Sequence, residues 1–500
     1  MSMPVTPAIC HADRLYIGGR WVAPQVPALI EVISPDTEQC IARVAEAGAA
    51  DMDAAVVAAR RAFDEGPWPH LAPRERIALL RALAQELQRR QDELAWAWTL
   101  QVGGLVTVAP MVVGQGTQTF LDVAEVGERF LFERRVDSAL SAIALLVHEP
   151  VGVVAAIAPW NVPYAIMASK VATALLAGCT VIMKPAPETP LEAYIIAECA
   201  EKVGLPPGVV NLVPAYRDAA DHLVCNPGVD KVGFTGSTAA GRRIASVCGD
   251  RIARCTLELG GKSAAIVLDD YDVQAAAKTL TQAITLMSGQ VCAALSRVIV
   301  PARRHDELAD AIAVQMRSIR VGHSSDPQTQ MGPLAMRRQL ERVQSYIEAG
   351  RSAGAKLVSG GGRPAGLERG YFIEPTLFAA VDNRSRIAQE EIFGPVLALI
   401  AARDVEDAIR IANESHYGLN GAVFTHDAEA AYRIGRRIRT GNIGQSGLKA
   451  DFRLPFGGFK QSGCGREGGM EGLLGYLETK TLLLDAAPAA ISGRDTPAVA

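Results

Sequence analysis

The stretch Val-Gly-Val-Val-Ala-Ala-Ile-Ala-Pro-Trp-Asn-Val-Pro, residues 151–163, decides the fold of this chain. Its first half is a continuous apolar run, typical of a strand buried on both faces, and its second half is a loop bounded by prolines. A helical pattern follows over residues 165–177, and a second apolar run covers residues 179–183. A strand, a helix and a second strand joined by short loops predict a parallel sheet covered by helices.

The same alternation extends in both directions from this stretch. The other predicted helices cover residues 49–65, 74–100 and 191–203, and the other predicted strands cover residues 209–213, 264–268, 298–300 and 422–425. Gly260-Gly261 separates the strands of a first unit from those of a second. A chain of 500 residues exceeds one ordinary core, so we expect two or three domains in an α/β fold.

Three segments do not follow this alternation. Residues 128–148 interrupt the first unit with an irregular pattern, and residues 476–484 are predicted to form a late strand. The tail from Ala486 is rich in alanine, proline and serine and is expected to be poorly ordered.

The composition is that of a well-packed globular protein and narrows the possible functions. Apolar residues make up 49% and charged residues 21%, and the net charge of −4 argues against a nucleic-acid partner. The most apolar stretch, residues 141–162, is broken by His148, Glu149 and two prolines, so no membrane span is predicted. Residues 1–6 lack the pattern of a signal peptide. The nine scattered cysteines include no Cys-x-x-Cys pair, which predicts no metal site, no disulfide framework and a cytoplasmic location.

Two short islands indicate the chemistry: Leu-Glu-Leu-Gly-Gly-Lys around Glu258, and Gly-Gln-Val-Cys around Cys292. Small neighbours let backbone amides come close to whatever the sulfur of Cys292 attacks. Glu258 stands between two leucines, and a partly dry pocket would raise its pKa and suit it to act as a base. The islands therefore predict a cysteine nucleophile paired with a carboxylate base.

With these islands at their observed spacing, the chain resembles the NAD(P)-dependent aldehyde dehydrogenases of the hydrolytic, non-acylating type almost from end to end. The resemblance implies a Rossmann-type cofactor domain, an α/β catalytic domain and a small β oligomerisation arm, assembled into a homodimer or homotetramer. Residues 1–127 and 149–260 would form the dinucleotide-binding domain, and residues 261–458 the catalytic domain. Residues 128–148 and 459–500 would form the bridging arm and the tail.

The resemblance also implies roles for five polar residues. Cys292 would add to an aldehyde to give a thiohemiacetal and then a thioester, and Glu258 would activate the water that hydrolyses the thioester. The side-chain amide of Asn161 and the backbone N–H of Cys292 would stabilise the oxyanion. Lys170 and Glu467 would carry a proton outward, and a plain ion pair remains the alternative for them.

The implied cofactor is NAD, and NADP is left open. The segment Gly233-Phe-Thr-Gly-Ser-Thr-Ala-Ala-Gly241 suits a pyrophosphate, because a helix N-terminus presents free N–H groups and a positive dipole end. The predicted cofactor-binding residues are Ile157, Trp160, Lys184, Gly233, Gly236, Ser237, Gly260, Glu391 and Phe393. Many NAD-preferring relatives place a glutamate three residues after the lysine that matches Lys184. Here that position is Pro187, and the carboxylate follows one residue later at Glu188.

The residues expected to line the substrate tunnel are smaller than those of many relatives. Val162 and Ser169 stand where relatives carry aromatic residues, Val291 and Ala293 flank the nucleophile, and Tyr164 is expected nearby. A wider mouth predicts a bulky, apolar or aromatic aldehyde as the small-molecule substrate.

Alternative functions remain open at this point. A semialdehyde-specific or coenzyme A-acylating relative would share the nucleophile, although Glu258 counts against acyl transfer to coenzyme A. A cofactor-independent thiol esterase could use Cys292 and Glu258 as well. A non-catalytic homologue would be expected to lack one of these two residues, and neither is lost.

Overall fold

Two largely parallel sheets covered by helices form the body of the computed structural model, which describes residues 9–488. This architecture confirms the predicted α/β fold. The prediction for residues 1–6 and most of the predicted tail lie outside the described residues. Within residues 9–488, no helix combines the length and the apolar character needed to cross a bilayer.

The strands of the described residues follow in chain order. They are β1 (Leu15–Ile17), β2 (Arg20–Val22), β3 (Leu29–Ile33), β4 (Cys40–Ala45), β5 (Glu133–Val136), β6 (Ile143–Pro150), β7 (Val153–Ile157), β8 (Thr180–Lys184), β9 (Val210–Leu212), β10 (Lys231–Thr235), β11 (Arg254–Glu258), β12 (Ala264–Val267), β13 (Arg297–Pro301), β14 (Lys356–Ser359), β15 (Thr376–Ala379), β16 (Val396–Ala402), β17 (Gly421–Phe424), β18 (Gly444–Gln445), β19 (Gly463–Cys464) and β20 (Leu477–Leu484).

The α-helices of the described residues are numbered in the same way. They are α1 (Ala49–Asp64), α2 (Pro73–Arg89), α3 (Gln91–Val102), α4 (Ala109–Arg129), α5 (Pro163–Ala177), α6 (Leu191–Lys202), α7 (Arg217–Cys225), α8 (Thr238–Asp250), α9 (Val273–Thr285), α10 (His305–Arg317), α11 (Arg337–Ser352), α12 (Arg386–Gln389), α13 (Val405–Asn413), α14 (Ala428–Gly435) and α15 (Gly469–Leu474).

The first sheet has the strand order β19-β11-β10-β7-β8-β9-β1-β2, and its five central strands are parallel. Every residue of β7 and β8 is buried, as the continuous apolar runs predict. The register pairs Ile157 with Lys184 and Thr235 with Glu258, so these strands end at one edge. The loops that follow β7, β8, β10 and β11 therefore emerge side by side.

The second sheet has the order β14-β15-β16-β13-β12-β17-β18. All neighbouring strands in it are parallel except β14, which runs antiparallel to β15. The segments that enter β12, β13 and β16 carry Gly260, Cys292 and Glu391, respectively. These segments meet the carboxyl-terminal edge of the first sheet, and this meeting creates the site described below.

A third, antiparallel sheet joins distant parts of the chain in the order β20-β6-β5. It combines the late strand with part of the irregular segment 128–148, and eight residue pairs connect β20 to β6. The segment 459–500 does not belong wholly to this sheet, because β19 pairs with β11 at the edge of the first sheet. The predicted division into domains stays a prediction.

One predicted helix is two helices in the structure. The pattern over residues 74–100 divides at Arg90, where α2 ends and α3 begins. The sequence has neither glycine nor proline at this point to signal the break. The Arg90 guanidinium pairs with Glu93 and Glu198, so tertiary ion pairs hold the bend.

Candidate active site

A cleft of about 590 Å³ lies where the two parallel sheets meet. The sequence-predicted residues that line it are Ile157, Trp160, Asn161, Lys184, Gly236, Ser237, Glu258, Gly260, Cys292, Glu391 and Phe393. They come from loops widely separated along the chain. The fold thus brings together the proposed nucleophile, the proposed base and most of the proposed cofactor residues.

Gly233 and Tyr164 are among the predicted residues that do not line this cleft. Gly233 is inside β10, where it pairs with Ala156 and Thr256, and it is not part of the cleft wall. Tyr164 is buried between α4 and α5, with its hydroxyl 2.8 Å from that of Thr117. Its hydroxyl has a partner within the helical core, so Tyr164 packs the helices together.

The loop that carries Cys292 is fixed by its neighbour Gln290. The Gln290 backbone carbonyl accepts a hydrogen bond of 2.8 Å from Asn161 Nδ2, and its side-chain oxygen accepts one of 2.9 Å from the backbone N–H of Ala335. The Asn161 carbonyl in turn accepts from Trp98 Nε1 at 3.1 Å. Because an amide group has two N–H bonds, Asn161 keeps one donor for another acceptor.

The backbone just before the nucleophile is left-handed over three successive residues. Met287, Ser288 and Gly289 have φ values of 50°, 55° and 72°. A Cβ atom at Gly289 would lie 2.2 Å from the carbonyl oxygen of Gly394, so only glycine fits there. The Ser288 hydroxyl donates to the carbonyl of Gly332 at 2.8 Å. Such backbone conformations are costly and persist only where the surroundings hold them, as they do here.

The surroundings of Cys292 raise the pKa of its thiol. Burial raises its pKa to about 12, and the nearby carboxylates of Glu391 and Glu258 raise it further in the same direction. The backbone N–H groups of Cys292 and Ala293 act in the opposite direction. A positive charge brought into the cleft would favour the thiolate, because it would oppose the two carboxylates.

This pKa predicts how alkylation of Cys292 depends on pH. Only the thiolate reacts, and below the pKa its fraction rises about tenfold per pH unit, so labelling by iodoacetamide should accelerate steadily from pH 7 to 9. Peptide mass spectrometry distinguishes Cys292 from the exposed cysteines. Glu391→Gln should speed the labelling because a negative charge is lost, whereas Glu390→Gln, at an exposed carboxylate, should not. A rate independent of pH would contradict the raised pKa.

Glu258 is buried, and neither of its carboxylate oxygens has a hydrogen-bond partner. Burial raises its pKa well above the usual value and Glu467 adds to the increase, while Lys170 opposes it. Lys170 is fully buried and forms an ion pair with Glu467. A Cβ atom at Gly457 would lie 2.7 Å from Glu258 Oε1, so this glycine makes room for the carboxylate. A carboxyl whose pKa is raised in this way is suited to act as a general base.

The other end of the cleft fits a dinucleotide. Helix α8 opens at the cleft with Ser237 as its N-cap, whose hydroxyl accepts from the backbone N–H of Ala240 at 3.3 Å. The buried hydroxyl of Thr235, beside this helix start, has no hydrogen-bond partner. A helix N-terminus with a spare hydroxyl is a suitable place for a pyrophosphate.

Two further groups suit the rest of such a molecule. Trp160 and Phe393 meet edge to face at 5.2 Å and form an aromatic wall. Glu391 Oε1 accepts a hydrogen bond of 3.0 Å from the backbone N–H of Gly261, and burial raises the pKa of this carboxyl to about 7. Burial lowers the pKa of Lys184 to about 8. The residues present therefore fit a dinucleotide with ribose and aromatic parts.

Comparisons with known proteins identify the family. The sequence profile of the aldehyde dehydrogenase family matches residues 21–482. The chain belongs to the aldehyde dehydrogenase family. A geranial dehydrogenase from Castellaniella defragrans is 44% identical over 473 residues, which cover 94% of this chain and 98% of the relative.

Solved aldehyde dehydrogenase structures share this fold. A Mycobacterium tuberculosis aldehyde dehydrogenase in complex with NAD+ has a TM-score of 0.92 and 44% identity, and the match covers 94% of this chain and 98% of that one. A variant of a Pseudomonas syringae aldehyde dehydrogenase in complex with NAD+ and octanal has a TM-score of 0.92 and 39% identity, with 96% and 98% covered. The recognition of an aldehyde dehydrogenase from the sequence is thus confirmed.

The residues that α11 contributes to the cleft of this aldehyde dehydrogenase were not found from its sequence, and two of them hold a neighbouring loop. Gln339 donates to the carbonyl of Phe393 at 2.7 Å, and Arg342 donates to the carbonyls of Glu391 and Ile392. Both come from α11, whose sequence pattern is that of an ordinary amphipathic helix. No local signal could have marked them, because their partners lie in a loop distant in sequence.

An apolar cluster flanks the nucleophile on its other side. Ala293 packs with Leu419 and Phe456, and Cys292 lies against this cluster. The ring of Phe456 is 5.1 Å from that of Phe452, whose side chain is 46% exposed. Apolar surface therefore extends from the exposed ring of Phe452, through Phe456, to the sulfur of Cys292. The sequence did not indicate these two phenylalanines as site residues.

Proposed function

We propose that this aldehyde dehydrogenase oxidises a bulky, apolar aldehyde to its carboxylate with NAD+, through a covalent adduct on Cys292. The observation that carries the proposal is the shared cleft, into which Cys292, Glu258 and the loop of Asn161 all open. A nucleophile, a base and an amide donor in one partly dry site are what such a reaction requires.

In the first step, the Cys292 sulfur forms a bond to the aldehyde carbon, and the S–H proton passes to solvent water. The carbonyl oxygen becomes an oxyanion, which the free N–H of the Asn161 amide and the backbone N–H of Cys292 would stabilise. One such donor is typically worth about 10²–10³ in rate. The hydrogen bond from Asn161 to the Gln290 carbonyl supports this step, because it holds donor and nucleophile in register.

The cofactor is proposed to lie along the rest of the cleft. When bound, NAD+ supplies the acceptor for the hydride that leaves the substrate carbon. Gly236 and Ser237 would hold the pyrophosphate, Lys184 and Glu391 the two riboses, and Phe393 would pack against the nicotinamide. Ile157, Trp160 and Gly260 would complete the walls.

In the last step, Glu258 takes a proton from water as the water attacks the thioester on Cys292. The C–S bond then breaks, and the carboxylate product leaves. The ion pair of Lys170 with Glu467 lies behind Glu258 and would carry the proton away. A base in this position favours hydrolysis over transfer to coenzyme A.

The substrate class is proposed from the walls near the nucleophile. Val162 is the N-cap of α5 and Ser169 lies in the second turn of that helix, and both are partly exposed. Val291 and the cluster of Ala293 and Phe456 add apolar surface at the sulfur. The names of two relatives agree with an apolar substrate, one being a geranial dehydrogenase and the other holding octanal.

Filling the tunnel tests this substrate class. In the double variant Val162→Phe, Ser169→Trp, a bulky aldehyde should clash, while a short one gains apolar contact. A substrate that is one or two methylene groups too large or too small for an apolar pocket typically loses roughly 10–200-fold in kcat/KM. We expect the kcat/KM ratio of a branched or cyclic aldehyde to hexanal to fall at least tenfold. The variant Thr173→Val, further along α5, serves as a control. An unchanged ratio would remove these two side chains from the tunnel.

The assembly is proposed to be a homodimer or homotetramer in the cytoplasm, built through the sheet β20-β6-β5. Leu483 on β20 is 54% exposed, and Leu140 next to β6 is 88% exposed. Large apolar side chains exposed on a small sheet suit contact with a second copy of the chain. From the family resemblance, residues 1–127 and 149–260 are proposed to bind the dinucleotide and residues 261–458 to form the catalytic domain. Residues 128–148 and 459–500 are proposed to form the arm and the tail.

A further inference from the structure

Two cysteines outside the cleft lie side by side where the chain returns from α8 to the first sheet. Cys248 is in the last turn of α8, and Cys255 is the second residue of β11. The backbone N–H of Ala253 donates to the Cys248 carbonyl at 2.8 Å, so the chain reverses within a few residues. Cys248 is buried in an apolar cluster, and Cys255 packs against the same cluster but is partly exposed. The turn therefore brings two thiols together on one face of the sheet.

The two thiols are joined by a hydrogen bond that makes them unequal. The Cys248 thiol donates to the sulfur of Cys255, which lowers the pKa of Cys255 and raises that of Cys248. Partial burial opposes the decrease at Cys255, and the positive charge of Lys231 adds to it. The thiolate is the reactive form of a cysteine, so Cys255 is suited to be the nucleophile and Cys248 its proton donor.

The thiol of Cys292 is in the opposite situation. Burial raises its pKa to about 12, and the carboxylates of Glu391 and Glu258 act in the same direction. Oxidation of a cysteine follows its thiolate character and its exposure, and a neighbouring thiol makes the product a disulfide. Cys255 combines these three conditions. An oxidant should therefore react at Cys255 before it reacts at Cys292.

We propose that Cys255 and Cys248 form a redox pair, which a hydroperoxide oxidises to an intramolecular disulfide before it oxidises Cys292. This site is separate from the proposed aldehyde oxidation, because neither cysteine lines the cleft. The disulfide would join the last turn of α8 to the start of β11.

The oxidation takes two steps. In the first, the Cys255 thiolate attacks one oxygen of the hydroperoxide, an S–O bond forms and the O–O bond breaks. The products are a sulfenic acid and an alkoxide or hydroxide, which takes a proton from water. In the second, the Cys248 sulfur attacks the Cys255 sulfur, an S–S bond forms, the S–O bond breaks, and the oxygen leaves as water with the Cys248 proton. The pair loses two electrons to the peroxide, and a thiol reductant restores both thiols by exchange.

Limited oxidation of the reduced full chain tests this order. The protein is treated with about one equivalent of hydrogen peroxide, a dose that leaves the slower thiols reduced, and is then denatured and blocked with N-ethylmaleimide. Trypsin cleaves after Arg251 and Arg254, so the disulfide appears as peptide 244–251 linked to peptide 255–262. We expect this linked pair to be the main oxidised product and to disappear with dithiothreitol. Cys292 should carry the maleimide.

Variants of the pair separate the two steps. Cys248→Ala and Cys248→Ser both lack the second thiol, so the sulfenic acid should remain on Cys255 and be trapped by dimedone. Cys255→Ala should leave Cys248 reduced. Cys464→Ala is the matched control, since Cys464 is exposed and lies on β19 beside β11, and this variant should form the disulfide as the wild type does.

The proposal is overturned if Cys292 or an exposed cysteine is the first to be oxidised, or if the first disulfide joins two chains. It is also overturned if dimedone labels Cys248 in Cys255→Ala as fast as it labels Cys255 in Cys248→Ala, since the two sulfurs would then be equivalent. The wild-type experiment needs no substitution, so it decides the order of oxidation even if a variant does not fold.

Discussion

Cys292→Ala is expected to reduce aldehyde oxidation at least a hundredfold while NAD+ still binds. The alanine cannot form the covalent adduct, and removing a catalytic nucleophile commonly costs several orders of magnitude in turnover. The side chain is small and lies at the edge of an apolar cluster, so the loop should keep its structure. Steady-state kinetics give the loss of turnover, and calorimetry gives the retained affinity for NAD+.

Cys255 offers the matched control for this variant. It lies in β11, the strand that ends at Glu258, and is partly buried outside the cleft wall. Cys255→Ala should keep turnover within about threefold of the wild type, as for a partly buried cysteine with a packing role. If Cys292→Ala retained more than about a hundredth of the wild-type turnover, the covalent route would be ruled out.

Glu258→Gln is expected to separate the two halves of the reaction. Hydride transfer precedes hydrolysis, so one rapid burst of NADH per active site should remain while steady turnover stalls. The amide cannot accept a proton from water, and the acyl group should stay on Cys292 as a mass increment in the intact protein. Stopped-flow absorbance measures the burst of NADH, and mass spectrometry of the intact protein measures the acyl group on Cys292.

The pH dependence of steady turnover is a second test of the role of Glu258. A base must be deprotonated, and the pKa of Glu258 is raised, so steady turnover should increase with pH through this pKa and fall below it. The burst rate of Glu258→Gln should lack this dependence. Loss of the burst along with the turnover would show that Glu258 activates the thiol instead.

Ester hydrolysis by the wild type at full rate without NAD+ would favour the alternative function, that of a thiol esterase.

The parts of the fold with a strong local pattern could be predicted from the sequence. The buried strand at 153–157 and the helix after it are continuous in sequence, and residues 49–65 have a clear helical period. The break at Arg90 could not be predicted, because Glu198 in α6 helps to hold it. Local pattern identifies an element, but distant partners decide where it bends.

The same limit applies to the cleft. Cys292 and Glu258 stand in short motifs, so their residue types and neighbours mark them. Gly233 and Tyr164 were predicted from their nearness in sequence to other site residues, and the structure shows Gly233 within β10 and Tyr164 between α4 and α5, not among the residues that line the cleft. Gln339 and Arg342 went unnoticed because only the packing of α11 against the second sheet brings them to the cleft.

The path of the chain between the two sheets bears on how the cleft could open. The polypeptide crosses from β11 to β12 directly after Glu258, and β12 lies next to β13, the strand that follows Cys292. A rigid rotation of one sheet against the other would have its pivot near this crossing. Atoms at the pivot move least, so base and nucleophile would keep their spacing. The loop after β8, which lies three strands from β11 in the first sheet, has the longer lever arm, so the cleft would widen there while the reacting groups keep their places.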